Sequence, residues 1–263
     1  MPLRAETTRG ISLLTAGVLI VGIILLLNNF LLLGDFNVWA LWPLLLVVAG
    51  GRILLKGDLT DSAQGRTFGI TRGTVEACTI EVSAGEIDVQ VNGLAREGRL
   101  AAGEFARDSR PVLDVRDTQA ILRLDRSATP WLAFNDWRIS LAKDLPWQVL
   151  ITTHLGQVSV DLSDVIVQDA VIATGLGDIR LTTPREAFGA LNVQSAVGDI
   201  HIYVPDEVRA VIQIERTLLS RVYSDPDRYT EAASGQYKTT WGSSSLPPIE
   251  IRLRSAFGDV YLA

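Results

Sequence analysis

Two kinds of periodicity divide the chain. Residues 11 to 27, ISLLTAGVLIVGIILLL, and 38 to 55, VWALWPLLLVVAGGRILL, are nearly continuous apolar runs, the first uncharged and the second carrying only Arg52. Each is close to the length a helix needs to cross a hydrocarbon layer of roughly 30 Å. The first run continues into the second with no small-residue cleavage site between them, which argues against a signal peptide. The pattern predicts a transmembrane helical hairpin over residues 1–57, with spans at about 11–30 and 38–55. No Lys or Arg lies between Asn28 and Asn37, whereas Arg4 and Arg9 precede the first span and Arg52, Lys56 and Arg66 lie in or after the second. The positive-inside rule then places both termini in the cytoplasm.

Beyond Leu55 the pattern changes. Residues 58–73 are polar and glycine-rich and read as a linker. From Thr74 to the end, apolar and polar residues alternate with period two, and Gly, Pro, Asn or Asp interrupts every few residues. That is the signature of short strands with one buried face, so residues 74–263 are expected to be an all-β domain. Within it one step recurs: SAGEIDVQV at Gly85, THLGQVSVDL at Gly156, TGLGDIRLT at Gly177, SAVGDIHIYV at Gly198 and SAFGDVYLA at Gly258. The central three lie 21 residues apart, and the residues two and four after each glycine are apolar. A chain that turns at equivalent places can stack its strands about 4.8 Å apart, each layer covering the apolar edge of the last. The expected fold is a β-solenoid, a rack-like stack of short strands with these five glycines as its corners. The outer copies are 71 and 60 residues from their neighbours, which predicts a non-uniform stack.

Two spans with Asn28-Asn29 and Trp42-Pro43, then LGQVSVDLSDV, GDIHIYVPDEV and a terminal IEIRLRSAFGDVYLA, resemble the LiaF-type proteins, whose soluble domains belong to a class called toast-rack. The resemblance covers residues from about 150 to 263 best. It implies a bacterial cell-membrane protein of the cell-envelope stress response, non-enzymatic, that restrains a sensor histidine kinase. The excursion from Gly93 to Trp147 and the copy at Gly177 have no counterpart in that pattern.

Composition narrows the chemistry. A net charge of −6 disfavours nucleic acid as a partner. The single cysteine, Cys78, rules out an internal disulfide and alternates with Ile80 and Val82 on a strand face, as a buried thiol would. The two histidines, His154 and His201, occupy different repeat positions without metal-ligand spacing, and neither a nucleophile elbow nor a phosphate loop occurs. No enzyme activity, cofactor or metal is expected. Asp178, Asp199 and Asp259, with Glu86 and Gln157, follow the repeat glycines. Stacked at layer spacing, neighbouring carboxylates would repel by about 3.5 kcal/mol at an effective dielectric of 20. Either a divalent cation or a backbone N–H in each carboxylate's own turn must offset this.

Trp131, Phe134, Trp137 and Trp147 have two readings: they plug an open end of the stack, or they form a partner-facing aromatic patch. Two functions remain. The first is a membrane-anchored regulator or scaffold in contact with lipid and a signalling protein such as a sensor kinase. The second is a self-assembling envelope structural or adhesion protein, a homo-oligomer built by polymerisation of the stack.

Overall fold

A computed structural model of the protein describes residues 66–96, 98–105, 110–125, 136–215, 219–242 and 246–263. The expected hairpin, residues 58–65 of the expected linker, Trp131 and Phe134 lie outside the described residues; residues 66–71 of that linker form a strand. Among the described residues there are strands and turns and no helix, so none long and apolar enough to cross a membrane.

In chain order the strands are β1 (Arg66–Thr71), β2 (Ala77–Ala84), β3 (Val89–Gly93), β4 (Arg99–Phe105), β5 (Val112–Arg116), β6 (Gln119–Asp125) and β7 (Trp137–Leu141). They continue with β8 (Pro146–Leu155), β9 (Val158–Asp161), β10 (Ile166–Leu176), β11 (Ile179–Thr182), β12 (Glu186–Ala187), β13 (Leu191–Val197) and β14 (Ile200–Tyr203). The last are β15 (Ala210–Glu215), β16 (Val222–Ser224), β17 (Tyr229–Ala233), β18 (Gln236–Thr239), β19 (Ile249–Phe257) and β20 (Val260–Leu262). One sheet runs β1, β4, β7, β3, β9, β11, β14, β20, β16; the other runs β17, β18, β15, β19, β13, β10, β8, β2, β6, β5, with β12 beside β10.

Set side by side, the two orders explain the repeat. The run β6, β2, β8, β10, β13, β19, β15 in one sheet matches β7, β3, β9, β11, β14, β20, β16 in the other. Each pair is one layer, in which the chain leaves the second sheet and enters the first. Neighbouring layers pair in parallel throughout these runs. Alternation along each strand sends one set of side chains inward, as in β8, where Trp147, Val149, Ile151 and Thr153 are buried. The inward sets form a single apolar core.

The stack is more uniform than the sequence spacing implies. The β2–β3 layer lies directly against β8–β9, and β19–β20 lies directly against β13–β14. The long stretches between repeat copies are not irregular insertions within the stack. They supply further layers, β6–β7 and β15–β16, and most of the antiparallel strands at the margins: β4 on β7, β5 on β6, and β18 and β17 on β15; β1, which precedes the first copy, pairs with β4. The C-terminal strands are thus inserted between layers formed earlier in the chain.

Candidate interaction surface

The corners set everything outside them. Gly156, Gly177, Gly198 and Gly258 have φ of 148°, 146°, 139° and 142°, a region that L side chains rarely adopt. Steric contact adds to this. A Cβ at Gly177 would come closer than 3.0 Å to the carbonyl oxygen of Gly156; Gly198 stands in that relation to Gly177, and Gly258 to Gly198. Backbone pairing continues through the turn: the N–H groups of Gly156, Gly177 and Gly198 donate to the carbonyls of Leu176, Val197 and Phe257 at 2.9, 2.8 and 2.8 Å. Inside the corner runs a column of buried hydroxyls, Thr153, Thr174, Ser195 and Ser255, each three residues before its glycine. Thr153 donates to the Thr174 hydroxyl at 2.9 Å, and Ser255 donates to the Gly258 carbonyl at 3.1 Å.

The first copy departs from the sequence alignment by two residues. Val89 pairs with Val158 and Ala84 with Thr153, so Ile87 and not Gly85 occupies the corner above Gly156. Gly85 lies in a turn two residues earlier, and its φ is not positive. The physical reason is that Ile87 turns with its side chain inward, 3% exposed, as part of the core. The signal for this register was present: the four glycine corners follow a Ser or Thr by three residues, whereas Ser83 precedes Gly85 by two.

The same shift places Asp88, not Glu86, in the acidic row. Asp88 Oδ1 accepts the Gln157 N–H at 2.6 Å, Asp178 Oδ1 that of Asp199 at 2.9 Å, and Asp199 Oδ1 that of Asp259 at 2.8 Å. Asp259 Oδ1 accepts the Arg221 N–H at 3.0 Å. The hydrogen bonds therefore run between layers, where an own-turn bond was expected, and each carboxylate helps fix its neighbour. Among the described residues no cluster of three or more His, Cys, Asp or Glu could hold a metal ion.

Outside the corner lies a feature that the sequence reading passed over. The residue before each corner glycine points outward and is apolar: Leu155 (50% exposed), Leu176 (52%), Val197 (44%) and Phe257 (54%). Strand register stacks them, with Leu155 beside Leu176, Leu176 beside Val197 and Val197 beside Phe257. The column stops at the β2–β3 layer, where exposed Glu86 precedes Ile87. One flank is formed by exposed His154, Gly175, Ala196 and Ala256, the other by the acidic row. At about 4.8 Å per layer, four residues make a ridge about 14 Å long.

The remaining candidates are placed as follows. Trp137 and Trp147 are fully buried, and Trp147 Nε1 donates to the Ala142 carbonyl at 2.8 Å. Neither faces a partner, and neither plugs an end, because β4 and β1 lie beyond β7, and β8 is interior. His201 stacks on Tyr261 at 4.6 Å between ring centres, and Tyr261 on Tyr223 at 5.0 Å, so one layer's ring covers the next. Cys78 is buried; burial pushes its thiol up to about 12, opposed in part by the Arg72 guanidinium.

Fold and corner together define a two-sheet parallel stack whose layers turn at a shared corner. Residues 60–203 match the family model described as the N-terminal domain of toast_rack, DUF2154. That match spans more than half of the sequence, and the chain belongs to this family. Among solved structures, a candidate cell adhesion protein from Clostridium sporogenes is similar with a TM-score of 0.65 at 16% identity, over 76% of this chain and 98% of that one. A candidate adhesin from Bacteroides fragilis aligns with a TM-score of 0.32 at 12% identity, over 76% of this chain and 96% of that one. No curated protein matches the chain significantly.

Proposed function

We propose that the protein is a membrane-anchored, non-enzymatic regulator or scaffold of the bacterial envelope-stress response that works by contact with another protein. The observation that carries this reading is the exposed column Leu155, Leu176, Val197 and Phe257 on a corner held by interlayer hydrogen bonds. Exposed apolar side chains that stand in register on a rigid support suit recognition, since little conformational freedom is lost on docking. The apolar runs at residues 11–27 and 38–55 support an anchor in membrane lipid, and the distribution of basic residues supports a cytoplasmic C-terminal domain. There the domain can bind one of two states of a signalling partner, a sensor kinase in the first instance, and so shift its equilibrium.

Two measurements test this. A reporter fused after Ala263 should be active on the cytoplasmic side, and the full chain should co-purify with a membrane sensor kinase in an amount that the double variant Leu176→Ser/Val197→Ser reduces. An external reporter, or recovery unaffected by the variant, contradicts the proposal.

The second reading, an adhesive or structural protein, draws on the fold similarity to the candidate cell adhesion protein. It requires an external domain and, in its polymerising form, filaments that grow with concentration. The antiparallel strands β1, β5 and β17, which end three of the four sheet edges, support the first reading over polymerisation, because an added copy would need parallel register in both sheets and only the β16 edge continues it.

A further inference from the structure

The corner column and its two flanks narrow the kind of partner, on the proposed reading that this surface binds protein. Successive column residues are one layer, about 4.8 Å, apart. The apolar stripe of an α-helix offers a side chain every 3.5 residues on average, about 5.3 Å along the axis, so four layers stay nearly in step with four helix positions. An extended strand along the column would offer same-face side chains about every 6.8 Å and lose step by the second layer. The small residues Gly175, Ala196 and Ala256 on one flank leave room for a helix barrel. On the other flank Asp178, Asp199 and Asp259 are half-buried, and none forms an ion pair with a described residue. Each uses Oδ1 for a backbone N–H, which leaves Oδ2 to meet a cation.

We propose that this corner is a docking ridge for an amphipathic helix of a partner protein, with Leu-like residues along one stripe and Lys or Arg along one flank of it. Other occupants fit less well. Two copies meeting column to column in the antiparallel sense would set their carboxylate rows against each other, and an anionic bilayer would be repelled by the same row.

The test uses the full chain in phosphatidylcholine nanodiscs and three labelled 18-residue peptides. One is a helix with a leucine stripe and lysines on one flank; in the second glutamates replace the lysines, and in the third glutamines replace the leucines. Binding is read as anisotropy above that of empty nanodiscs. The lysine peptide should bind at least about tenfold more tightly than either other peptide. Leu176→Ser/Val197→Ser should weaken it at least about tenfold, and Asp178→Asn/Asp199→Asn, which keeps an acceptor oxygen, should bring the lysine and glutamate peptides to within about threefold. Equal affinity for these two on the unaltered chain overturns the proposal, as does indifference to the leucine variant or no binding above empty discs. A concentration-dependent dimer abolished by Leu176→Ser/Val197→Ser would assign the ridge to a second copy and also overturn it. If kinase co-purification still depends on Leu176 and Val197 while the peptides do not discriminate, only the helix assignment fails.

Discussion

The β2–β3 layer and the β10–β11 layer perform the same turn with different residues. At Gly177 the backbone takes φ of 146°, and the place of a Cβ is filled by the carbonyl oxygen of Gly156. At the equivalent point of β2–β3 stands Ile87, buried, with Ala84 where β10 has Thr174. Glycine, inner hydroxyl and outer apolar residue thus occur together in the four central layers and are absent together from the first. The difference teaches that the glycine serves interlayer stacking and not the turn as such. Where each glycine corner rests on the one before, the carbonyl excludes a side chain; at β2–β3, where the series of glycine corners begins although the β6–β7 layer lies beyond it, an isoleucine turns inward.

The largest effect that would break this comparison is at the corner itself. Gly177→Ala should lose about 3–5 kcal/mol in urea denaturation, or prevent folding, through overlap with a backbone oxygen and an unfavourable φ. Gly198→Ala should behave alike. Gly85→Ala should cost under about 1 kcal/mol, because that glycine is no corner. Equal losses at 85 and 177 would restore the alignment read from sequence.

Next in size is the acidic row. Asp199→Ala removes the acceptor for the Asp259 N–H and should cost about 1–2 kcal/mol, whereas Asp199→Asn retains an acceptor and should cost less than half of that. Denaturation midpoints of the two variants check this.

An alkaline titration sharpens the contrast between core and surface. Unfolded Cys78 loses its proton near pH 9, whereas burial holds the folded thiol protonated to about 12. Stability should therefore be unaffected by this group well below pH 9 and fall as pH rises between these values, by no more than about 1.4 kcal/mol per pH unit. Cys78→Ala should flatten that fall. Tyr229, raised by burial to about 12, adds a similar decline from near pH 10. The thiol should react with a disulfide reagent only on unfolding.

The smallest expected effect is on stability at the outer column. Leu176→Ser/Val197→Ser should shift the unfolding free energy by under about 0.5 kcal/mol, since both side chains are about half exposed. A large loss would show that the column supports the stack, and a partner role would lose its basis.

How far the sequence could be read follows from which contacts are local. Period-two alternation gave the strands, and the 21-residue interval marks the layers of Gly156, Gly177 and Gly198, which are consecutive both in the chain and in space. β5–β6 and β17–β18 are local hairpins, but the pairings that set these regions in the stack, β6 on β2, β4 on β7 and β15 on β19, join strands distant in sequence, so their place beyond the repeat copies was not legible. The corner at Ile87 was missed because SAGE imitates the repeat; the apolar-x-apolar pairs after Asp88 and Gln157 give the true register. Trp137 and Trp147 read as an end plug or a partner-facing patch because the stretch around them is irregular, yet each falls on the inward phase of its strand. The outer column was missed because one apolar residue before a glycine reads as a strand end. Only register shows that four such residues form a line.

The most direct test is site-specific photo-crosslinking of the full chain in its native membrane, with the reactive group at position 176 on the column or at Gln194 on the outer face of β13. The account predicts a discrete adduct with one partner protein from position 176 and none from 194. Adducts at both positions alike, or none at 176, would contradict it.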